Sequence, residues 1–302
     1  KNIYGIDIQP IATEISRLRC FLTLIVDESI HDNLENRGIE PLPNLDFKFV
    51  TANSLIGLPK LSANNQEGLF EDRSGIEELK ELREMFFNAS GAEREKLKLQ
   101  FVQAQNRMFE KMITARTAGM ADLTTKLTTW DPFGHKAATW FDPEWMFGIK
   151  EGFGIVMGNP PYVSVKSISK NDKKRFSELF ETGKGRFNLF TLFLEKGHKL
   201  LKDNGVMSYI LPEVLYTNSE YNHIRKYLLE KTQIFSISNF SSRVFDASVD
   251  TSVIIIKNGR NKNSVIKVLL DLKLPVTTIK QSGIKDIILT KNPKNINVIL
   301  DK

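Results

Sequence analysis

Apolar and polar positions follow two alternating periods in this chain, which predict strands and helices in turn. The β-branched runs Asn2–Asp7 and Asp46–Thr51 are typical of strands, and apolar residues recur at helical spacing over Gln9–Ile25 between them. This strand–helix–strand order predicts an α/β protein with a parallel sheet. The same alternation later in the chain predicts helices at Leu189–Leu201 and Asn218–Glu230, and strands at Phe153–Met157, Gly205–Leu211, Ile234–Phe240 and Thr251–Lys257. The last two of these strands are expected to pair antiparallel.

Residues 60–145 interrupt this rhythm and predict a helical insertion. Glu77–Ala115 has apolar residues on helical faces and is interrupted at Ser90-Gly91, which predicts an antiparallel pair of helices. We therefore divide the chain into a first part of the core (1–59), the insertion (60–145), a second part of the core (146–257) and a Lys/Asn-rich region (258–302) that begins another domain.

Composition narrows the class of protein. The 302 residues are 41% hydrophobic and 26% charged, as in an ordinary soluble domain. The single cysteine, Cys20, excludes an internal disulfide and a cysteine-type zinc site, and the four histidines lack metal-ligand spacing, so we expect no metal. No apolar stretch reaches the ~18–20 residues of a membrane span, so we expect no membrane partner and a cytoplasmic location.

Charge is distributed unevenly along the chain. Residues 1–162 carry 18 basic and 23 acidic side chains, a net charge of −5, whereas residues 163–302 carry 24 and 13, a net charge of +11. This asymmetry favours a second half that faces a polyanion. A lysine-rich solvated surface is the alternative, and charge alone does not separate the two.

The tetrapeptide Asn159-Pro160-Pro161-Tyr162 follows a predicted buried strand, where parallel sheets bind their ligands. A conjugated amino or amide nitrogen is a poor nucleophile. Acceptors on the Asn159 side chain and the Pro160 carbonyl would draw such a nitrogen towards tetrahedral geometry and free its lone pair. Prolines stiffen the backbone and remove N–H donors, and Tyr162 offers a flat face to a planar substrate. The alternative is a proline turn after a strand.

With this motif, residues 1–257 resemble the gamma-class N6-adenine DNA methyltransferases, and in particular the methyltransferase part of type IIG-like restriction–modification enzymes. The resemblance implies a Rossmann-like S-adenosylmethionine-dependent sheet with a helical insertion, followed at residues 258–302 by the start of a C-terminal, target-recognition-like region. It also implies that double-stranded DNA is the partner and that the target adenine is flipped out. Asn159, Pro160, Pro161 and Tyr162 would form the catalytic motif. Lysines and arginines after it would contact phosphates: Lys166, Lys170, Lys173, Lys174, Arg175, Lys184 and Arg186.

The same resemblance implies roles for further residues. Asp7, with Ile8 beside it, would bind the ribose of the cofactor. Asn53, Ser54 and Leu55 match the motif that contacts the cofactor adenine, although the family usually has Asp where this chain has Asn53. Two aromatic residues complete the set: Phe193 would line the adenine pocket, and Phe245 would stack on the target base opposite Tyr162.

One family motif is missing from this chain. The glycine-rich loop after the first strand should lie about 20 residues before the ribose-binding acid, but only six residues precede Asp7. We therefore expect an N-terminally truncated fragment without the first strand, which binds S-adenosylmethionine weakly or not at all and is inactive alone. The alternatives are a protein glutamine or RNA methyltransferase with the same motif, and a DNA-binding subunit that has lost catalysis.

Overall fold

A computed structural model describes residues 2–39, 41–58, 73–114, 130–134, 136–240, 250–261, 263–273, 275–282, 284, 286–289 and 298–299. The chain divides into two compact units, Lys1–Lys150 and Glu151–Lys302.

The first unit contains a small parallel sheet and several helices. Strand β1 pairs with strand β2 from Gly5↔Phe49 to Asp7↔Thr51, which confirms the predicted strand–helix–strand order. A short 3-10 turn at Glu35–Gly38 lies between α1 and β2. The elements are β1 (Gly5–Asp7), α1 (Pro10–Asp27), β2 (Phe49–Thr51), α2 (Arg73–Asn88), α3 (Gly91–Thr114) and α4 (Pro143–Phe147).

Helices α2 and α3 form the predicted antiparallel pair. The chain reverses at Ser90-Gly91, where Gly91 has a φ of +52° that favours glycine. An ion pair joins the helices, with 2.6 Å between Arg107 Nη2 and Glu78 Oε1. The aromatic core beneath them includes Phe86 and Phe101, both packed against Phe47.

Helix α1 forms as its periodicity predicts, but its apolar stripe is exposed. Thr13 is the buried residue of this helix. Periodicity identifies which residues share a face and does not say what covers that face. The exposed stripe consists of Ile11, Ile15, Leu18, Leu22 and Ile25.

The second unit is built on one six-stranded mixed sheet with the order β3-β4-β6-β5-β7-β8. Its strands are β3 (Phe153–Gly158), β4 (Leu201–Pro212), β5 (Thr232–Asn239), β6 (Thr251–Asn258), β7 (Val265–Leu270) and β8 (Pro275–Lys280). Two short strands, β9 (Ile288–Leu289) and β10 (Val298–Ile299), pair with each other. The helices are α5 (Lys170–Leu179), α6 (Leu189–Lys199), α7 (Val214–Thr217) and α8 (Asn222–Lys231), with 3-10 turns at Val165–Ser167 and Ser219–Tyr221.

Strand directions bring several carboxyl ends to one edge of this sheet. Strand β3 is parallel to β4, and both β4 and β5 are antiparallel to β6, which confirms the predicted antiparallel pairing of the last two core strands. Gly158, Pro212 and Asn239 therefore end their strands at one edge, where Thr251 begins β6. The helices and sheets together confirm the predicted α/β class.

One face of the sheet is buried, whereas β3, the outermost strand on one side of the sheet, has exposed apolar side chains. The core cluster contains Phe190 and Leu194 of α6, Leu228 of α8, and Met207 and Ile254 of the sheet. On β3, by contrast, Ile155 and Met157 are 69% and 77% exposed.

Residues after 258 extend the same sheet. Strand β7 pairs parallel with β5, and β8 pairs antiparallel with β7, so these strands join the core strands within the second unit. The predicted boundary at residue 258, like the other domain boundaries, stays a prediction.

A buried ion pair secures the chain that follows β8. Arg225 on α8 is buried and donates from Nε and Nη2 to the carboxylate of Asp286 at 2.6 and 2.9 Å. Its Nη1 donates to the carbonyls of Leu215 and Asn218. Burial raises the pKa of Asp286, but Arg225 and the Ile287 N–H oppose it, and the net pKa lies below the usual value.

Replacing the carboxylate with an amide, Asp286→Asn, should lower the free energy of unfolding by about 2–3 kcal/mol at pH 7, because Arg225 stays buried without its counter-ion. The folded-state pKa is depressed, so the stabilisation is complete above the unfolded pKa of about 3.9 and is lost as pH falls through the folded pKa. The difference in the free energy of unfolding between the two proteins, measured with urea, should thus be constant from pH 7 to pH 5. It should shrink as the pH falls below about 4. Asp203→Asn, at an exposed site in β4, is the control. Equal stability of wild type and Asp286→Asn at pH 7 would show that the pair contributes nothing.

Candidate active site

The predicted catalytic motif, Asn159 to Tyr162, begins where β3 ends. The last paired residues of β3 and β4 are Gly158 and Tyr209. Asn159 is exposed and Pro160 is buried. The two prolines cannot donate to a neighbouring strand, so the ladder ends here. In the part of the chain that the structure describes, the side-chain amide of Asn159 and the backbone carbonyl of Pro160 take part in no hydrogen bond.

Tyr162 attaches the motif to the sheet through its side chain. Its hydroxyl donates to the carbonyl of Ile210 at 3.2 Å, one residue beyond the last residue of β4 that pairs with β3. The ring lies edge-on to Phe190, with 6.2 Å between centroids and an interplanar angle of 84°. Partial burial raises the pKa of Tyr162, so the phenol stays protonated and donates at neutral pH.

The chain after Tyr162 is joined to the start of α6. Leu189 N donates to Val163 O at 2.9 Å, and Val165 N donates to Phe187 O at 3.1 Å. The side chain of Asn188 caps α6 by accepting from the Phe190 N–H. The motif and the helix that carries Phe193 are therefore held together.

Phe193, predicted to line the adenine pocket, is half-buried against the core cluster. Phe245, predicted to stack on the target base, lies outside the described residues, as do all of residues 241–249. The described residues on either side of that segment, Phe240 and Asp250, follow β5 and precede β6 at the edge where Asn159 lies. At this edge Glu213 follows β4, and its Oε1 accepts from Asn239 Nδ2 at 3.3 Å.

A buried carboxylate that the sequence analysis missed supports the basic segment. Glu195 on α6 is fully buried. It accepts from the backbone N–H groups of Glu181 and Thr182 at 3.0 and 2.9 Å, from Thr182 Oγ1 at 2.8 Å and from Lys199 Nζ at 2.6 Å. Burial raises its pKa, but these donors outweigh burial and the net pKa is lowered. The sequence does contain a signal for this burial, because Glu195 lies three residues after Leu192 and so falls on the apolar face of the helix.

Glycine is required in the turn that Glu195 holds. A Cβ on Gly183 would lie 2.5 Å from the Phe176 carbonyl oxygen of α5. The turn thus passes directly against the backbone of α5. Lys184 and Arg186 follow immediately in the chain and are exposed.

The predicted phosphate-binding residues lie on α5 and its flanks. Ser169 caps α5 by accepting from Asp172 N, and Phe176 anchors the helix in the core. Lys166, Lys170 and Lys174 are exposed, and Lys173 and Arg175 are half-exposed.

Arg186 differs from these lysines because it has a described acidic partner. Its Nη1 lies 2.6 Å from Glu220 Oε1, and its side chain is 73% exposed. The charge of Arg186 is therefore partly neutralised at the surface.

In the first unit, the predicted cofactor residues follow the carboxyl ends of β1 and β2. Asp7 is exposed, its Oδ1 accepts from Gln9 N at 2.8 Å, and its backbone carbonyl accepts from Ala52 N. Ile8 beside it is exposed. Asn53 Oδ1 accepts from Leu55 N at 3.2 Å, which closes a turn that includes Ser54.

The turn after β2 is extended by a segment from the predicted insertion. Ala138 bridges Ala52 in parallel, and Asn53 N donates to its carbonyl. Leu55 is buried in the core. Little of the Leu55 side chain is therefore left to contact a cofactor ring.

Neither a metal-binding cluster nor a membrane-spanning helix is present among the described residues. No group of three or more His, Cys, Asp or Glu side chains in the described ranges is arranged to hold a metal ion. None of the helices there has both the length and the hydropathy that a membrane crossing requires. The expectation that no metal is used stays a prediction.

Comparison with known proteins identifies the family. The model of the Eco57I restriction-modification methylases matches residues 1–245. The chain belongs to this family. It is 26% identical to a putative type II restriction enzyme and methyltransferase of Methanocaldococcus jannaschii, over 84% of this chain and 26% of that protein. It is 28% identical to the type II methyltransferase M.HincII of Haemophilus influenzae, over 51% of this chain and 34% of the other.

The chain spans about a quarter to a third of the length of these relatives. Among solved structures, the type IIG restriction endonuclease BpuSI is similar at 21% identity and a TM-score of 0.36, over 51% of this chain and 19% of that one.

Membership of this methylase family confirms the predicted class of fold and, at the level of the family, S-adenosylmethionine as the cofactor. The hydrogen-bond acceptors at the end of β1 fit a ribose. Asp7 Oδ2 has no hydrogen-bond partner among the described residues, and a carboxylate that follows a parallel strand can accept from a diol. The assignment of particular residues of this chain to cofactor binding stays a prediction.

Glu195→Gln should release the turn at Thr182, because an amide cannot accept from all four donors and introduces N–H groups of its own. We expect a loss of about 2–4 kcal/mol in the free energy of unfolding. Amide hydrogen exchange at Glu181 and Thr182 should also accelerate more than exchange in β5. Glu178→Gln, at an exposed site on α5, should change neither quantity. Unchanged exchange at Thr182 would contradict this role for Glu195.

Proposed function

We propose that this chain is the part of a restriction–modification enzyme that methylates N6 of a flipped adenine in duplex DNA. The observation that carries the proposal is the geometry at the end of β3. Asn159 and Pro160 present acceptors without described hydrogen-bond partners, next to an aromatic ring fixed at Tyr162. Membership of a restriction-modification methylase family supports a DNA substrate, and the choice of adenine rests on this geometry.

The acceptors fit an exocyclic amino group. The two N–H bonds of N6 would be donated to the Asn159 side-chain oxygen and the Pro160 carbonyl. This pulls the nitrogen away from conjugation with the ring and makes its lone pair available. S-adenosylmethionine, when bound, supplies the methyl group, and the surplus N6 proton leaves to solvent after transfer.

Tyr162 would hold the base during this step. Its ring is fixed at two points, by the hydrogen bond to Ile210 and by the edge of Phe190. A ring held in this way can stack on an extruded base with little further loss of conformational entropy. Phe245, in the segment that joins β5 to β6, would contact the opposite face of the base.

Duplex DNA would bind along the basic segment from Lys166 to Arg186. Helix α5 buries Phe176 and directs Lys170 and Lys174 to solvent. Lys184, which is also exposed, follows the turn held by Glu195. Because phosphate contacts do not depend on base identity, this segment would supply affinity and register rather than the recognised sequence.

Methyl transfer is best tested in the full-length protein that contains this chain, with tritiated S-adenosylmethionine and duplex DNA. We expect label in N6-methyladenine, a fall of about 100-fold or more for Asn159→Ala, as for the loss of one aligned hydrogen-bonding group at a reacting centre, and a smaller fall for Tyr162→Phe than for Tyr162→Ala. Binding of tritiated cofactor to Asn159→Ala is the control, because the variant should still retain the donor.

The products separate the alternatives. Label in N4-methylcytosine would exclude adenine but keep DNA methylation. Label in protein or RNA would favour the other substrates that the motif suggests. DNA binding without any transferred label would indicate a subunit that has lost catalysis.

Phosphate contacts predict a specific salt dependence of DNA binding. Lys174→Gln should weaken the affinity for specific and unrelated duplexes alike, and should reduce the slope of log K against log salt by about 0.9. Glu220→Gln should instead strengthen binding, because it frees Arg186 and removes a negative charge. Lys202→Gln, an exposed lysine of β4 outside the basic segment, is the control. The control should keep the wild-type slope. If Lys174→Gln also kept the wild-type slope, the segment would not contact phosphates.

A further inference from the structure

The turn that follows β7 holds a bulky side chain on a left-handed backbone. Lys273 N donates to Leu270 O at 2.9 Å, which closes a β-turn with Asp271 and Leu272 at its centre. These two central residues have φ values of +51° and +58°. Turns of this kind suit the twist of a hairpin, but they favour glycine or asparagine, because larger side chains clash with the backbone there. Leucine at the second position is therefore unfavourable for folding.

Hydrogen bonds to β5 hold this turn in place. Asp271 N donates to Asn239 O at 2.9 Å, and Leu272 N donates to Ser238 Oγ at 3.0 Å. Ser238 is buried in the sheet, so its hydroxyl is a fixed acceptor. An unfavourable backbone conformation persists only where the surrounding structure determines it in this way. The turn is therefore a rigid support for the side chain of Leu272.

Burial does not explain the leucine. The side chain of Leu272 is 60% exposed, so it gains little from contact with the core. A single exposed leucine is ordinary in itself. Here, however, it occupies a position where glycine would be easier to accommodate. Neither backbone preference nor packing accounts for it, which favours contact with a partner.

The turn lies at the same edge of the sheet as the predicted catalytic motif. Strand β7 is parallel to β5, and β5 runs in the same direction as β4 and β3, since both β4 and β5 are antiparallel to β6. The carboxyl ends of β3 and β7 therefore share one edge. Four spacings separate these strands in the sheet, which places the turn roughly 19 Å along the edge from Asn159.

The charge of this part of the chain fits a polyanion. Residues 163–302 carry a net charge of +11, and Lys273, next to Leu272, is exposed. Base pairs in a duplex are stacked about 3.4 Å apart. A duplex that runs along the edge with its target adenine at Asn159 would therefore meet the turn about five or six base pairs away.

We propose that Leu272 is an apolar wedge that enters the minor groove of duplex DNA and partly unstacks a base step there, with Lys273 on a neighbouring phosphate. Leucine is among the side chains that open base steps in this way, and a rigid support limits the entropy lost on insertion. The inference rests on the proposed function for its partner, duplex DNA. It concerns binding of the duplex and not the transfer of the methyl group.

The test scans a bound duplex with 2-aminopurine, whose fluorescence rises when the base is unstacked. The full-length protein that contains this chain is added to duplexes with the probe at one position at a time. We expect one rise at the target adenine and a second rise about five or six base pairs away. The first rise without the second would overturn the wedge alone, whereas the second without the first would contradict the proposed base flipping and keep the wedge.

Substitutions at the turn separate DNA contact from stability. Leu272→Gly should abolish the second rise, keep the first and weaken duplex affinity about tenfold, the effect of losing one apolar contact. Its melting temperature should not fall, because glycine adopts positive φ without strain. Leu272→Met, which keeps an apolar side chain, should keep both rises. Lys273→Gln should also keep them and reduce the slope of log K against log salt by about 0.9.

Val265→Ala is the matched control. Val265 is 39% exposed and begins β7, at the opposite edge of the sheet, so its loss should change neither fluorescence nor affinity. A second rise that persists in Leu272→Gly would show that another residue opens the step. A lower melting temperature of Leu272→Gly with unchanged affinity would show that the leucine stabilises the fold instead. Either result would overturn the proposal, as would a wild type that binds no duplex.

Discussion

Two consecutive prolines at the end of β3 constrain the rest of the second unit. Neither can donate a hydrogen bond, so β3 cannot follow β4 beyond Gly158. The Tyr162 hydroxyl, rather than a backbone N–H, makes the next bond to β4, at Ile210. A side chain thus fixes where the chain leaves the sheet, and the acceptors of Asn159 and Pro160 at the carboxyl edge have no hydrogen-bond partner within the described part of the chain.

The position of α6 follows from that departure. Val163 and Val165 pair with Leu189 and Phe187, which sets the start of the helix. The helix then fits closely against β4, because a Cβ on Gly197 would come within 2.5 Å of the Met207 sulfur. Two turns along α6, Glu195 holds the turn at Thr182. Backbone pairing, helix packing and a buried carboxylate therefore connect the motif to the basic segment in successive steps.

Much of this could be predicted from the sequence, and the exceptions have physical causes. The strand before Asn159 and the two helices divided at Ser90-Gly91 are predictable from the sequence, because local periodicity and turn residues determine them. Strand β4 begins at Leu201, four residues before the predicted start. The prediction missed these residues because Lys202, Asp203 and Asn204 are polar and give no apolar alternation, and the pairing with β3 is irregular there. The bridge at Ala138 and the pairing of β7 with β5 are non-local, and a single sequence has no period that reports them.

Two buried arginines show why burial alone does not define a role. Arg225 has a bidentate carboxylate partner in Asp286 and two carbonyl acceptors, so its desolvation is compensated within the chain. Arg83 has one carbonyl acceptor, and two of its buried nitrogens have no acceptor among the described residues. A folded chain rarely leaves such donors unpaired. The first arginine is explained by stability, since its partners join distant segments. The second lacks this compensation among the described residues, so its burial alone assigns it no role.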